Sequence, residues 1–147
     1  VDVADQLPTH RFTVCAPETG EVRRSLHANV EVKIGLPDAE LQAVVGRSTF
    51  FLSTSSSEAV PLTLVEAMAS GCVCVVPDVG GFPGAVKDGI DGIVYPSTWS
   101  AFQVARVVRQ ILAAGYQANA RRAAVASHSI EAMVGKYQAF YDDILRV

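Results

Sequence analysis

Glu58-Ala59-Val60-Pro61-Leu62-Thr63-Leu64-Val65-Glu66-Ala67-Met68-Ala69-Ser70-Gly71 runs directly into the apolar stretch Cys72-Val73-Cys74-Val75-Val76. Pro61 suits the first position of a helix, where a missing N–H removes nothing the helix uses, and Gly71 suits its end. Leu62, Val65 and Ala69 read as the packing face of that helix. The run after Gly71 has no alternation, as expected of a strand covered on both sides. Two carboxylates, Glu58 and Glu66, stand with seven residues between them, one before the helix and one inside it.

Outward from this segment, strands and helices alternate. Phe12–Ala16 reads as a short buried strand, stopped by Pro17, and 17–28 as a polar, weakly helical stretch. Val30-Glu31-Val32-Lys33-Ile34 alternates and ends at Gly35, so it reads as a strand. Asp38 reads as the cap of a helix running to Gly46 with Leu41, Val44 and Val45 on one face. Phe50–Thr54 is the next strand, 82–87 a short helix after Gly80-Gly81, and Gly92–Tyr95 a last strand. From Thr98 the chain reads as helical. Val104, Val107, Val108, Ile111 and Leu112 keep a 3.6-residue period, Gly115 breaks it, and Ile130 to Leu145 form a second apolar stripe expected to pack as core. The fold class expected is α/β: a Rossmann-like, mostly parallel sheet with helices on both faces. The whole of 1–147 is expected to form a single domain with 98–147 as its helical part.

Composition narrows the function. At 147 residues, half of them apolar and 18% charged, the chain has enough material for one real core. A net charge of −3 with no basic run argues against nucleic-acid binding by counterion release; Arg23-Arg24 and Arg121-Arg122 read as solvated helix positions. No stretch approaches the ~20 apolar residues of a membrane span, and the first residues lack the basic and apolar regions of a signal peptide. Cys15, Cys72 and Cys74 have no metal-type spacing and read as buried thiols of a cytoplasmic protein.

The paired glutamates suggest chemistry. Ligands of a parallel α/β sheet bind beyond the carboxyl ends of its strands, and Glu58 follows a strand by a few residues. The first turn of the next helix offers N–H groups of Leu62, Thr63 and Leu64 and a positive dipole end, a setting for a diphosphate. Carboxylates are poor phosphate contacts but good acceptors for sugar hydroxyls. Glu58 and Glu66 would then hold a sugar on either side, one transferred and one the ribose of a nucleotide. Each glutamate taken alone also reads as a solvated charge, one of them favoured at a helix start by about 0.3–1 kcal/mol.

The run from Gly35 to Pro96 resembles the donor-binding domain of the group 1 (family 4) retaining glycosyltransferases of GT-B fold. The resemblance is carried by Val32 to Leu41, Ser53 to Ser57, Glu58 to Gly71, Val75 to Gly81 and Asp88 to Val94, in that order, with a weaker match around Asn119-Ala120-Arg121. It extends over nearly the whole chain from about residue 7. The resemblance implies that Glu58 contacts the transferred sugar near the reacting carbon and that Glu66 binds the ribose hydroxyls. Amides around Val60 and Leu62 to Leu64 would face sugar and diphosphate, and the loop at Gly35-Leu36-Pro37 would face the base. It implies sugar transfer from a nucleoside diphosphate with retention, without a metal or resident cofactor, by positioning and electrostatic stabilisation.

The sequence departs from the family in three places. Gly84 stands where a glutamate usually follows the Gly-Gly-x-Pro turn, and Pro61 where glycine is common. Before Phe12 there is neither the family's first strand nor its basic diphosphate loop, so the sheet reads as truncated at its N-terminus and one wall of a two-domain site as absent. Phe12–Ala16 is therefore expected either to pair directly with Phe50–Thr54 or to receive a strand from another chain. The last helix is expected to need a partner, either a second copy or a separate acceptor-domain protein. Competing readings are a non-catalytic nucleotide-binding module or accessory subunit, and a truncated remnant. His10, His27 and His128 share no motif; Ser55–Ser57 lack a base; Asp78 and Asp88 read as turn residues, and Trp99 as packing.

Overall fold

In a computed structural model, residues 2–18, 27–59, 61–113 and 120–145 are described. Their elements, in chain order, are α1 (Asp2–Asp5), β1 (Phe12–Ala16), β2 (Val30–Ile34), α2 (Asp38–Gly46), β3 (Phe50–Leu52), α3 (Leu62–Ser70), β4 (Val73–Pro77), α4 (Phe82–Ala85), β5 (Gly92–Tyr95), α5 (Ala101–Ala113), α6 (Ala120–His128) and α7 (Ile130–Leu145).

The centre of the fold is β4. It pairs in parallel with β3 (Phe50 opposite Val73) on one side and with β5 (Cys74 opposite Gly92) on the other, and all five of its residues are buried. Because successive strand side chains point to opposite faces, Cys74 and Val76 enter one core while Val73 and Val75 enter another. The strands beside it divide the same way: Phe51 and Val94 pack on the first core, Phe50, Leu52 and Ile93 on the second. The first core is roofed by Leu64, Ala67 and Met68 of α3, Phe82 of α4 and Ala124 of α6. The second is closed by Val104, Ala105, Val108 and Ile111 of α5, with Val3 and Leu7 from the first turns of the chain. The unbroken apolar run is thus two interleaved half-patterns serving a three-layer α/β/α arrangement.

The face of α3 differs from the expected one. Leu64, Ala67 and Met68 are buried, whereas Leu62 is 66% exposed, Ala69 is exposed and Val65 only half-buried. The helix begins one residue after Pro61, which is its N-cap, and it closes on Gly71 at φ +90°, the left-handed end that glycine adopts readily. Asp38 is likewise the first residue of α2 rather than its cap, and no side chain caps that helix. The strand expected over Phe50–Thr54 stops at Leu52, and the short helix after Gly81 stops at Ala85.

The strands divide into two sheets. β1 and β2 run parallel as one pair, with Phe12 opposite Val30, and β3-β4-β5 form the other sheet. The direct pairing of Phe12–Ala16 with Phe50–Thr54 does not form among the described residues; Phe12 and Phe50 meet only as side chains on the second core. Thr13, Val14 and Cys15 are exposed, contrary to the buried strand expected, because two strands alone bury little of their faces. Cys15 is therefore an exposed thiol, while Cys72 and Cys74 are buried. The pair is tied to α1 by Asn29, whose side-chain amide donates to the carbonyls of Ala4, Leu7 and His10 at 2.9–3.1 Å.

The stripe on α7 also departs from expectation. Ile130, Met133, Val134, Tyr137, Phe140, Tyr141, Ile144 and Leu145 lie on one side at 3.6-residue spacing, but none is buried, with exposures from 42% to 79%. The helix touches α6 and presents its apolar side outward. The polar stretch read over 17–28 falls mostly outside the described residues, as do the break at Gly115 and the side chains of Arg121 and Arg122.

Two outcomes follow from this packing. Iodoacetamide near pH 8 should modify Cys15 of the native chain and leave Cys74 untouched, since burial, then the neighbouring Cys72 and Asp91, push the Cys74 thiol up to about 12; mass spectrometry that finds Cys74 alkylated before unfolding would contradict it. Leu64→Ala, which empties a fully buried position, should lower unfolding stability by about 2–5 kcal/mol in a denaturant titration.

Candidate functional site

The loops that leave the carboxyl ends of β3 and β4 meet, and the amino end of α3 opens beside them. Residue 53 begins the first loop. Its N–H donates to the Val75 carbonyl at 3.0 Å, prolonging the ladder by one bond, and its carbonyl accepts the Tyr95 hydroxyl at 2.7 Å. Tyr95 is 5% exposed and stacks on Trp99, ring centres 6.2 Å apart; burial raises its pKa, so it remains a neutral donor. The Ser53 hydroxyl donates to Ser55 at 3.2 Å and accepts that residue's N–H. The loop is thus held to the sheet where it starts.

The other end of that loop is held by the turn after β4. The Gly81 N–H donates to the Glu58 carbonyl at 3.0 Å. Asp78 begins this turn, and its carboxylate accepts the Ser97 N–H at 2.6 Å, joining the turns after β4 and β5. That backbone N–H, then the Ser97 hydroxyl, hold the Asp78 carboxyl below its ordinary value of 3.8. Asp88 likewise accepts the Val94 N–H at 2.9 Å, so both aspartates serve turns as expected. Asp91, 3% exposed, accepts the Lys87 N–H at 2.6 Å.

Pro61 is buried, but Leu62 and Thr63 are exposed, so the amino end of α3 faces solvent. No side chain caps it. Leu64 and Val65 donate their N–H groups to the Pro61 carbonyl at 3.1 and 3.2 Å. Of the three amides expected to be open, those of Leu62 and Thr63 have no hydrogen-bond partner among the described residues, and that of Leu64 is spent inside the helix. Val60 lies outside the described residues.

Glu58 is half-buried at the foot of the loop, and Glu66 is exposed one turn into α3. Leu62, Glu66 and Ser70 lie four residues apart and share a helix face. Glu66 and Ser70, with Asp38, Leu41, Gln42 and Val45 of α2, line a groove of about 160 Å³. Gly35 turns the chain after β2 at φ +63°, donates its N–H to the Ala16 carbonyl at 2.9 Å and lies under the Glu18 side chain. Leu36 beside it is half-buried. The structure thus brings the Glu58 backbone to Gly80 and Gly81, and carries Glu66 into the α2–α3 groove.

Sequence reasoning did not single out a second hollow. A cavity of about 490 Å³ lies at the carboxyl ends of β3, β4 and β5, walled by Thr54, Ser55, Ser56, Pro77, Tyr95 and Trp99 and closed by α1 and α5. Its size falls in the range of small-molecule sites. Glu18 and Tyr95 were equally unmarked, since no local pattern says that they reach a loop distant in sequence.

Comparison with known proteins gives the family and the fold. A family model described as glycosyl transferases group 1 matches residues 23–128. The chain belongs to that family. It is 32% identical over 112 residues to N-acetyl-alpha-D-glucosaminyl L-malate synthase of Bacillus anthracis, a match over 74% of this chain and 29% of that protein. Its fold is similar to sucrose-phosphate synthase from Thermosynechococcus elongatus, with a TM-score of 0.72, 18% identity, and 99% of this chain on 49% of that one. It is also similar to Anabaena HepE in complex with UDP-glucose, with a TM-score of 0.73, 16% identity, and 99% of this chain on 44% of that one. The fold is the Rossmann-like α/β arrangement of GT-B glycosyltransferases. The chain spans under a third of the curated relative and about half of each solved chain.

Gly84, where the family usually carries glutamate, has open space around the position a Cβ would take, so the departure follows from no steric demand of the fold. Tyr95→Phe should lower stability by about 1–3 kcal/mol by leaving the Ser53 carbonyl without its buried donor, read from the denaturation midpoint. Because the Asp78 carboxyl is held low, its contribution to stability is present above its ordinary 3.8 and lost as pH falls through the lower folded value. Asp78→Asn should therefore make the acid limb of a stability–pH profile shallower; an unchanged limb would show that the Ser97 contact does not form in solution.

Proposed function

We propose that this chain is the nucleotide-sugar-binding half of a retaining glycosyltransferase, one that moves a sugar from a nucleoside diphosphate donor. The observation that carries the reading is the open amino end of α3, with uncapped amides at Leu62 and Thr63, standing between Glu58 and Glu66. A diphosphate there gains backbone donors and the positive end of the helix dipole. Glu58, fixed by its backbone to the turn after β4, accepts hydroxyls of the transferred sugar. Glu66 accepts the ribose hydroxyls along the α2–α3 groove. The turn at Gly35 and Leu36 faces the base.

Leu64, whose amide is engaged and whose side chain is buried, supports the helix end instead of touching the donor. Val60 is assigned to the sugar side on the resemblance alone. The reaction on this reading needs no metal or resident cofactor: the chain orients the donor, and the helix end stabilises the departing diphosphate. The acceptor is held by a second wall, supplied by another domain or another protein, and the chain works in the cytoplasm, where its free thiols suit a reducing medium. Donor binding belongs to this chain, and transfer requires both walls.

Calorimetric titration with UDP, ADP and GDP and with their glucose conjugates tests the reading. At least one nucleotide should bind, and Glu66→Ala should weaken that nucleotide and its conjugate alike by about tenfold, equivalent to ~1.4 kcal/mol. Binding by none of them, or a Glu66→Ala variant that binds as the parent does, would refute it.

A further inference from the structure

The Gly80-Gly81 pair lies against the backbone that carries Glu58. A Cβ on Gly80 would overlap the Glu58 carbonyl oxygen and lie 3.1 Å from the Glu58 nitrogen, and the residue sits at φ +53°. Gly81 has no left-handed backbone to explain it. Contact explains it instead: a Cβ there would lie 2.5 Å from the Ala59 carbonyl oxygen and 3.1 Å from Pro61 Cδ, and its N–H donates to the Glu58 carbonyl at 3.0 Å. Gly71, Gly84 and Gly89 have no atom within 4 Å of the same position. Gly92 is also crowded, by the Cys74 carbonyl oxygen at 2.7 Å and Val86 Cγ1 at 2.8 Å, but its neighbours belong to the sheet and its own core; Gly80 and Gly81 press on the segment that carries Glu58.

The turn they form is rigid on its own side. It leaves the fully buried strand β4, and Phe82, which follows it, is 2% exposed in the first core. On the far side Pro61 is buried at the root of α3. The backbone from Glu58 to Ala59 is held against a surface fixed by the sheet.

We infer that Gly80 and Gly81 are positioning residues that set the place of the Glu58 carboxylate toward the transferred sugar. The inference rests on the donor reading above and adds to it the device that aims one of its carboxylates. A methyl group on Gly81 would lie 2.5 Å from the Ala59 carbonyl oxygen, so the backbone beside Glu58 must give by about 0.9 Å to reach ordinary contact near 3.4 Å. A displacement of that order at a positioned group is enough to lose a large part of its effect. Phosphate and ribose contacts, made by α3 itself, are disturbed less, because Pro61 Cδ at 3.1 Å needs to give by only about 0.3 Å.

The test uses the nucleoside diphosphate among UDP, ADP and GDP that the chain binds, and its glucose conjugate, with melting temperature recorded for every variant. Gly81→Ala should weaken the conjugate about tenfold and the free diphosphate less than twofold. Glu58→Gln should show the same split, and the double variant should lose no more than either single one, because both changes remove the same contact. Gly84→Ala, an equal substitution with open space around it, should change neither ligand. If Gly81→Ala does not fold, the parent chain decides by nuclear magnetic resonance. The Gly81 amide should exchange slowly with solvent and should shift on adding the conjugate but not the diphosphate. A folded Gly81→Ala with unchanged affinities, additive losses in the double variant, or a fast-exchanging Gly81 amide would overturn the inference while leaving nucleotide binding intact. A parent chain that binds no nucleotide would overturn the donor reading, and the inference with it.

Discussion

Burial of β4 on both faces is the constraint from which the rest follows. Four of its residues divide between two cores, Cys74 and Val76 against Val73 and Val75, so α3 must cover one face while α5 and the first turns of the chain cover the other. That arrangement fixes where the strand ends, and with it the two loops that matter. The loop after β3 is tied to the sheet at Ser53 and to the turn after β4 at Glu58. The helix that follows has its buried face at Leu64, Ala67 and Met68, which leaves Leu62, Thr63 and Glu66 on the outer side. The orientation of the site is set by the core.

Much of this was legible in the sequence because the relevant signals are local. Pro61 and Gly71 bound α3 to within a residue, and the run from Val73 shows a strand covered twice. The order of motifs from Gly35 to Val94 led to the family that the comparison then showed. What could not be read depends on distant neighbours. The period of α3 does not say which of its apolar residues face the sheet, and Leu62 was assigned inward although it is exposed. The stripe on α7 is as regular as that of a core helix, yet nothing among the described residues covers it. β1 looks apolar enough to be central but has a single strand partner here.

The candidate site was legible in part. Glu58 and Glu66 could be marked because their spacing brackets a helix start, and among the described residues the amides of Leu62 and Thr63 have no hydrogen-bond partner. The Leu64 amide was miscounted, since the 3₁₀-type bond to the Pro61 carbonyl closes it, a common tightening at helix ends. Gly80 and Gly81 were read as a turn, which they are; that they press on Glu58 is a contact between segments about twenty residues apart and has no local signature. Tyr95 holding the Ser53 carbonyl, 42 residues away in sequence, is the same kind of fact.

The account as a whole stands on the diphosphate lying at the amino end of α3. Backbone resonances of the isotope-labelled chain, followed while a binding nucleoside diphosphate is added, report this directly. The account predicts that the largest amide shifts fall on Leu62 and Thr63, with smaller ones along the α2–α3 groove. Shifts concentrated instead at Thr54–Ser56 and Trp99, around the larger cavity, would contradict it.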